Sequence, residues 1–145
     1  MTFLATIGFT QRSARSFFGA LQGAGIELLA DIRLNNTGQL AGFTKKEDLA
    51  YFLELLGIRY RHLPMWAPTK EIRDRYHDTG DWDTFENGYR TLLAKRTLPA
   101  PEDLTLVRAT RICLLCSEPK PDRCHRRVAA EVLAAAMDRC DVRHL

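Results

Sequence analysis

The stretch FTKKEDLAYFLELLGIRYRHLP, residues 43–64, places an amphipathic helix directly before a strand. Thr44 and Glu47 have the spacing of a capping box, which predicts that Thr44 caps the helix. The apolar stripe consists of Leu49, Phe52, Leu53 and Leu56. Gly57 is a typical helix stop, although Asp48 is too polar to complete a hydrophobic staple. Residues 58–63 then alternate apolar and polar side chains, which predicts a strand with one covered face.

The same alternation of strand and helix extends along the rest of the chain. Strands are predicted over residues 3–8, 27–33, 58–63, 111–116 and 141–145. Further helices are predicted over residues 13–24, within 64–82, over 83–96, and from a cap at Asp122 to about 138. Residues 97–110 fit a loop with one turn. This order predicts one α/β domain over residues 1–145, a three-layer, Rossmann-like fold with a mainly parallel sheet of about five strands and helices on both faces.

Composition narrows the class of protein without identifying a ligand. A chain of 145 residues with 46% hydrophobic and 27% charged residues can bury a core. The net charge of +3 suits an anionic ligand or nucleic acid and is diagnostic of neither. The apolar runs are too short for a membrane span and the N-terminus lacks a secretory pattern, so we expect a cytoplasmic protein with no membrane partner. Its four cysteines are then expected to be reduced thiols.

A parallel sheet predicts where the site lies, because ligands bind beyond the carboxyl ends of its strands. The residues that follow the strands are unusually rich in polar chemistry. Predicted ligand-binding residues are Thr10, Arg12, Arg33, Asn35, Asn36, Trp66 and Arg126. Predicted catalytic residues are Cys116, Glu118, Cys124 and His125.

The stretch CLLCSEPKPDRCHRR, residues 113–127, allows a metal site. Cysteines three apart in a strand point to opposite faces, so Cys113 is predicted to be a buried core residue and not a ligand. A three-ligand zinc or iron site of Cys116, Cys124 and His125 stays open.

The same stretch also allows a reactive thiol or an anion pocket. Cys124 falls in the first helical turn among Arg123, Arg126 and Arg127, which would lower the pKa of its thiol. Cys124 or Cys116 would then be the nucleophile or redox thiol, with His125 as its acid/base. In the anion pocket, Arg126 and Arg33 would clamp a phosphate or carboxylate, and Glu118 would hold an arginine or act as a base.

Several of these residues also have a plain structural interpretation. Asp31 and Arg33 share one face of a strand end and could form an ion pair. Asn35 and Asn36 could contact a base or make turns. Trp66 could stack on a base or fold over the core. The mixed charges of residues 69–75 fit a solvated helix face, and Cys140 is expected to be buried and inert.

Four motifs together resemble the family called domain of unknown function 488. They are TIGFTQRSARSFFGAL, DIRLNNTGQLAGFTKKEDLAYFL, IRYRHLPMWAPTK and CLLCSEPKPDRCHRR, and they span nearly the whole chain. The resemblance implies a compact α/β domain with Rossmann-like layering and no established biochemical function. The family's signature positions fall on Gly8, Asp31, Arg33, Cys116, Glu118, Cys124, His125 and Arg126. Many members carry His where this chain has Phe9, so a general base at that position would be missing here.

The leading prediction is a polar cleft that binds an anionic ligand, a nucleotide or nucleic acid, with thiol-based catalysis as an added capacity. The first alternative is a metal-binding or redox-sensing module built on Cys116, Cys124 and His125. The second alternative is an interaction domain in which these residues are structural. The sequence does not identify a cofactor, a reaction or an oligomeric state.

Overall fold

The computed structural model describes residues 2–35, 42–118 and 122–145. Within these ranges the chain alternates between strands and helices, with short 3-10 turns at Gly42–Thr44 and Pro64–Trp66. In chain order the elements are β1 (Thr2–Gly8), α1 (Ala14–Gly23), β2 (Leu28–Asp31), α2 (Lys46–Leu55), β3 (Arg59–His62), α3 (Lys70–Thr79), α4 (Trp82–Lys95), α5 (Pro101–Ala109), β4 (Ile112–Cys116), α6 (His125–Ala135) and β5 (Cys140–His144).

The strands form one parallel sheet in the order β3-β2-β4-β1-β5. Side chains alternate between its two faces, as the pleat requires. Ala5, Leu29 and Cys113 pack on one face with residues of α1 and α2. Leu4, Ala30 and others pack on the opposite face with α4, α5 and α6. Helices therefore cover both faces, and the predicted three-layer α/β fold is confirmed.

The topology creates a crevice between the carboxyl ends of β2 and β4. From β2 the chain passes through α2 to β3 at one edge, whereas from β4 it passes through α6 to β5 at the other edge. These two helices cover opposite faces of the sheet. Adjacent strands whose connections diverge in this way form the switch point at which α/β sheets bind ligands.

Two predicted helix caps are wrong. Thr44 lies in the 3-10 turn, and α2 begins after Lys45, which makes no side-chain cap. The reason is a long-range contact, because the Thr44 carbonyl accepts a hydrogen bond from Arg33 Nη2 at 2.7 Å. At α6 the cap is Cys124 and not Asp122, and its sulfur accepts from the Arg126 amide.

The described helices are otherwise close to prediction. Residues 97–110, expected to contain only a loop and one turn, hold α5, which begins with a proline at its first position. The helix after β4 ends at Ala135, earlier than the predicted residue 138. None of the described helices combines the length and apolar character of a membrane span.

Candidate active site

The site begins with a covalent link between a strand end and a helix cap. Cys116 is the last residue of β4, and Cys124 is the cap of α6. A disulfide joins them, and both residues are buried, at 1% and 2% exposure. The expectation that all four cysteines are reduced thiols is therefore wrong for this pair. Cys113 and Cys140 are free.

The expectation for Cys113 is confirmed. This residue lies on the α1–α2 face of the sheet, opposite Cys116, and is fully buried. Burial raises the pKa of its thiol well above the ordinary value. Cys113 is therefore inert at neutral pH and cannot share a ligand set with Cys116. Cys140, at the start of β5, is only half-buried, and desolvation raises the pKa of its thiol as well.

His125 completes a compact cluster with the two sulfurs. One ligand atom from each of Cys116, Cys124 and His125 lies within 4.8 Å of the others. The Nε2 atom of His125 lies 3.1 Å from the Ile32 carbonyl. A carbonyl only accepts, so Nε2 carries the hydrogen and Nδ1 carries the lone pair of the neutral ring.

Burial lowers the pKa of His125 to about 4, and the positive charges of Arg73 and Arg126 act in the same direction. The imidazole is therefore neutral at pH 7 and hard to protonate. A group with this pKa is a poor proton carrier near neutral pH, which argues against the predicted acid/base role. Its hydrogen bond to Ile32 instead ties the start of α6 to the end of β2.

Arg33 is held inside the protein and does not face the crevice as an anion clamp. Its Nε and Nη2 atoms each donate at 2.8 Å to the carboxylate of Asp31. Tyr60 donates to the same carboxylate at 2.6 Å, and Asp31 is 0% exposed. The structural ion pair, the second interpretation of this motif, is the one found, because the buried carboxylate requires a cation at this depth.

Arg126 is also turned inward, against the prediction of an anion clamp. It is 1% exposed, and its Nη1 donates to the Glu118 carbonyl at 2.6 Å. A Cβ placed on Gly8 would overlap both that carbonyl and the Arg126 guanidinium. Gly8 is therefore required by the close approach of the loop after β4. Desolvation lowers the pKa of Arg126 to about 10, so it is still a cation at pH 7.

Glu118 contributes to the site through its backbone carbonyl more than through its side chain. The carbonyl holds Arg126, whereas the residue itself is exposed. Arg127, predicted to lower the pKa of Cys124, is instead engaged by Glu86 at 2.8 Å and by Glu131. Of the three arginines near Cys124, only Arg123 is exposed at the mouth of the crevice.

Trp66 does not present a face on which a base could stack. It is 2% exposed and belongs to the core cluster beneath α4, α5 and α6. Its carbonyl accepts a hydrogen bond from the buried Tyr89 hydroxyl. Trp66 therefore folds over the core, and the predicted ligand contact would require this ring to leave it.

The remaining predicted ligand residues are dispersed. The Thr10 amide donates to the Ser117 carbonyl at 3.0 Å, and Arg12 Nη2 donates to the Leu145 carbonyl at 2.9 Å. Asn35 is exposed after β2, and Asn36 lies outside the described residues. Ligand binding by Thr10, Arg12 and Asn35 stays a prediction.

A small pocket leads to Cys124 from solvent. Its volume is about 90 Å³. It is lined by Arg73, Tyr76, His77, Trp82, Phe85, Glu118, Arg123, Cys124 and His125. The sequence predicts a solvated face for residues 69–75 and gives no sign that α3 contributes to this pocket. Nothing local in the sequence marks Arg73, because only the packing of α3 brings it to the crevice.

Comparison with known proteins agrees with the resemblance seen in the motifs. A family model described as "Domain of unknown function DUF488" matches residues 13–133. Neither curated proteins nor solved structures give a match to the chain.

Proposed function

Since the chain belongs to the DUF488 family, whose description assigns no activity, we propose from the site itself that the protein is a thiol-redox module. Its Cys116 and Cys124 would alternate between a dithiol and a disulfide. The observation that supports this most directly is the bond between the two sulfurs across the crevice. The free Cys113 and Cys140 have no such partner among the described residues.

The surroundings of the two sulfurs give them different roles. Cys124 lines the pocket and caps α6, where the amides and dipole of the helix N-terminus stabilise a thiolate. Cys116 lies deeper, at the end of a buried strand. Cys124 is therefore the thiol that attacks an external disulfide, and Cys116 is the one that resolves the intermediate.

The exchange balances without a cofactor. The Cys124 thiolate attacks one sulfur of an external disulfide, forms a mixed disulfide and releases one thiolate. The Cys116 thiolate then attacks the sulfur of Cys124 and releases the second thiolate. The protein dithiol is oxidised by two electrons and the external disulfide is reduced to two thiols. The reverse steps regenerate the dithiol.

The proposed cellular compartment favours a functional disulfide over a structural one. We place the protein in the cytoplasm, where stable structural disulfides are rare and paired cysteines are usually catalytic or redox-sensing. Apolar clusters cover both faces of the sheet, and the cluster on the α1–α2 face contains neither Cys116 nor Cys124, so the fold has a core without this link. Reduction of the pair should therefore leave the protein folded.

Single-cysteine variants test the assignment of roles. Cys116→Ser incubated with oxidised glutathione should accumulate a mixed disulfide on Cys124, detected by intact mass and peptide mapping. Cys124→Ser should accumulate little or none on the buried Cys116. Cys113→Ser is the matched control and should behave as the unmodified protein. Equal trapping in both variants, or none in either, would contradict the proposal.

A second function, metal binding by the reduced pair, is favoured by the neutral His125. Its Nε2–H is held by a backbone carbonyl, as in histidines that bind a metal through the other ring nitrogen. The two sulfurs and the imidazole together form a Cys2His ligand set, which zinc accepts with a fourth position open.

Elemental analysis separates the two functions. Reduced protein purified without chelator should carry about one zinc or iron per chain if the metal function holds. Cys124→Ser should then lose the metal, and Cys113→Ser should keep it. Metal-free reduced protein that still exchanges disulfides would support the thiol-redox function and contradict the metal-binding function.

The predicted nucleotide or nucleic-acid ligand has less support. Of the residues that carried that prediction, Arg33, Arg126 and Trp66 are internal, Asn35 is exposed, and Asn36 lies outside the described residues. What supports an anionic ligand is a different set of cations, at the mouth of the pocket.

A further inference from the structure

We propose that the substrate of the thiol pair is a low-molecular-weight anionic thiol or disulfide, selected by Arg73 and Arg123 at the pocket above Cys124. This inference rests on the thiol-redox function proposed above and adds the chemical class of its substrate.

The size of the pocket limits what reaches the sulfur. Its volume of about 90 Å³ is far below the roughly 300–1,000 Å³ of pockets that enclose a drug-sized ligand. Only the sulfur end of a substrate can enter. The rest of the substrate must lie across the rim, so the charges of the rim decide which substrates approach Cys124.

The rim carries more positive than negative charge. Arg73 and Arg123 line the pocket together with His77, and Glu118 is the acid among its lining residues. The salt bridges of the described chain include neither arginine, whereas Arg127 nearby is neutralised by Glu86 and Glu131.

The remaining wall of the pocket is aromatic. Tyr76, Trp82 and Phe85 contact one another, with Trp82 stacked on Phe85 at 5.0 Å between ring centroids. Such a wall lowers the local polarity and strengthens the attraction between an arginine and a carboxylate. An apolar wall beside two cations suits a small organic molecule in which a carboxylate lies a few bonds from the sulfur.

The experiment compares three small disulfides that differ in charge. Reduced protein reacts with oxidised glutathione, which is anionic, with hydroxyethyl disulfide, which is uncharged, and with cystamine, which is cationic. Each rate constant is divided by that of dithiothreitol with the same probe, to remove differences in intrinsic reactivity. The anionic probe should be preferred over the cationic one by at least tenfold at low ionic strength, and the preference should shrink in salt.

Substitutions assign the preference to the rim. Arg73→Gln and Arg123→Gln should each lower the normalised rate with the anionic probe, relative to the uncharged probe, by roughly two- to tenfold, which is the effect of one arginine charge on one substrate charge about 6–8 Å away at an effective dielectric constant of about 40–80. Glu118→Gln should raise it. Arg75→Gln, two residues from Arg73 and on the exposed side of α3, is the matched control and should leave it unchanged. Using the ratio of probes removes any effect of these charges on the Cys124 thiolate itself.

The outcomes distinguish this inference from the function on which it rests. Equal normalised rates for all three probes, or a preference that survives both arginine substitutions, would overturn the anionic substrate class while leaving thiol exchange in place. No reaction with any probe would overturn the thiol-redox function itself, and the inference with it.

Discussion

Replacing Asp31 by Asn should destabilise the protein strongly, because this carboxylate is the centre of a buried polar network. It accepts hydrogen bonds from the Arg33 amide, from two guanidinium nitrogens of Arg33 and from the Tyr60 hydroxyl. The amide of asparagine keeps the shape of the side chain but loses the charge. One of its two ends then presents N–H groups to donors, so hydrogen bonds become repulsive contacts.

The size of the expected loss of stability follows from the burial of Arg33, the partner of Asp31. Arg33 is 6% exposed and stays charged, so the variant contains an uncompensated cation in the protein interior. Removing one partner of a buried ion pair costs about 3–5 kcal/mol. For a domain of this size that corresponds to a fall in Tm of roughly 10–15 °C.

The chain contains a matched control within another strand. Asp141 and Arg143 in β5 have the same i, i+2 spacing and a 3.3 Å contact, but their side chains are 40% and 63% exposed. A solvated ion pair of this kind contributes about 0–1 kcal/mol, so Asp141→Asn should be nearly silent.

Urea denaturation followed by circular dichroism gives the free energy of unfolding for both variants. A large loss for Asp31→Asn beside a small loss for Asp141→Asn supports the reasoning. The double variant Asp31→Leu with Arg33→Met should recover part of the loss, because it removes both charges. A loss below about 1 kcal/mol for Asp31→Asn would refute the account of this network.

Three further predictions concern the surroundings of the site. Gly8→Ala should cost several kcal/mol or prevent folding, as measured by urea denaturation, because its Cβ would displace the Glu118 carbonyl and Arg126. In oxidised, metal-free protein, His125 alone should lower the free energy of unfolding by about 3 kcal/mol between pH 7 and pH 4, because it binds a proton near pH 6.5 when unfolded and only near pH 4 when folded. The pH dependence of His125→Gln should be flatter by that amount. Tyr89→Phe should lower the free energy of unfolding by about 1–3 kcal/mol, because the buried Trp66 carbonyl loses its hydrogen-bond donor. Thr91→Val, on the exposed face of α4, is the control and should change it little.

The fold could be predicted because its signals are local. The apolar run at residues 111–116 became β4 at Ile112–Cys116, and the alternating residues 58–63 became β3 at Arg59–His62. The error at Thr44 has a non-local cause. The capping box is a pattern within four residues, and it cannot include an arginine eleven residues away that takes the Thr44 carbonyl.

The candidate site could be located from the sequence but not oriented. Cys116, Cys124 and His125 are close in sequence and follow a strand, so their grouping was predictable. Whether Arg33 faces solvent or Asp31 depends on the depth of the strand end. The role of Arg73 depends on how α3 packs against α4 and the start of α6, and no pattern within α3 encodes that.

The most direct test is a redox titration of the four cysteines. Protein equilibrated in dithiothreitol buffers of graded potential is quenched with an alkylating agent, and each cysteine is quantified by peptide mass. The account predicts that Cys116 and Cys124 oxidise together, reversibly and within one chain, while Cys113 and Cys140 stay alkylated throughout. Thiols at Cys116 and Cys124 under oxidising conditions, or links only between chains, would contradict it.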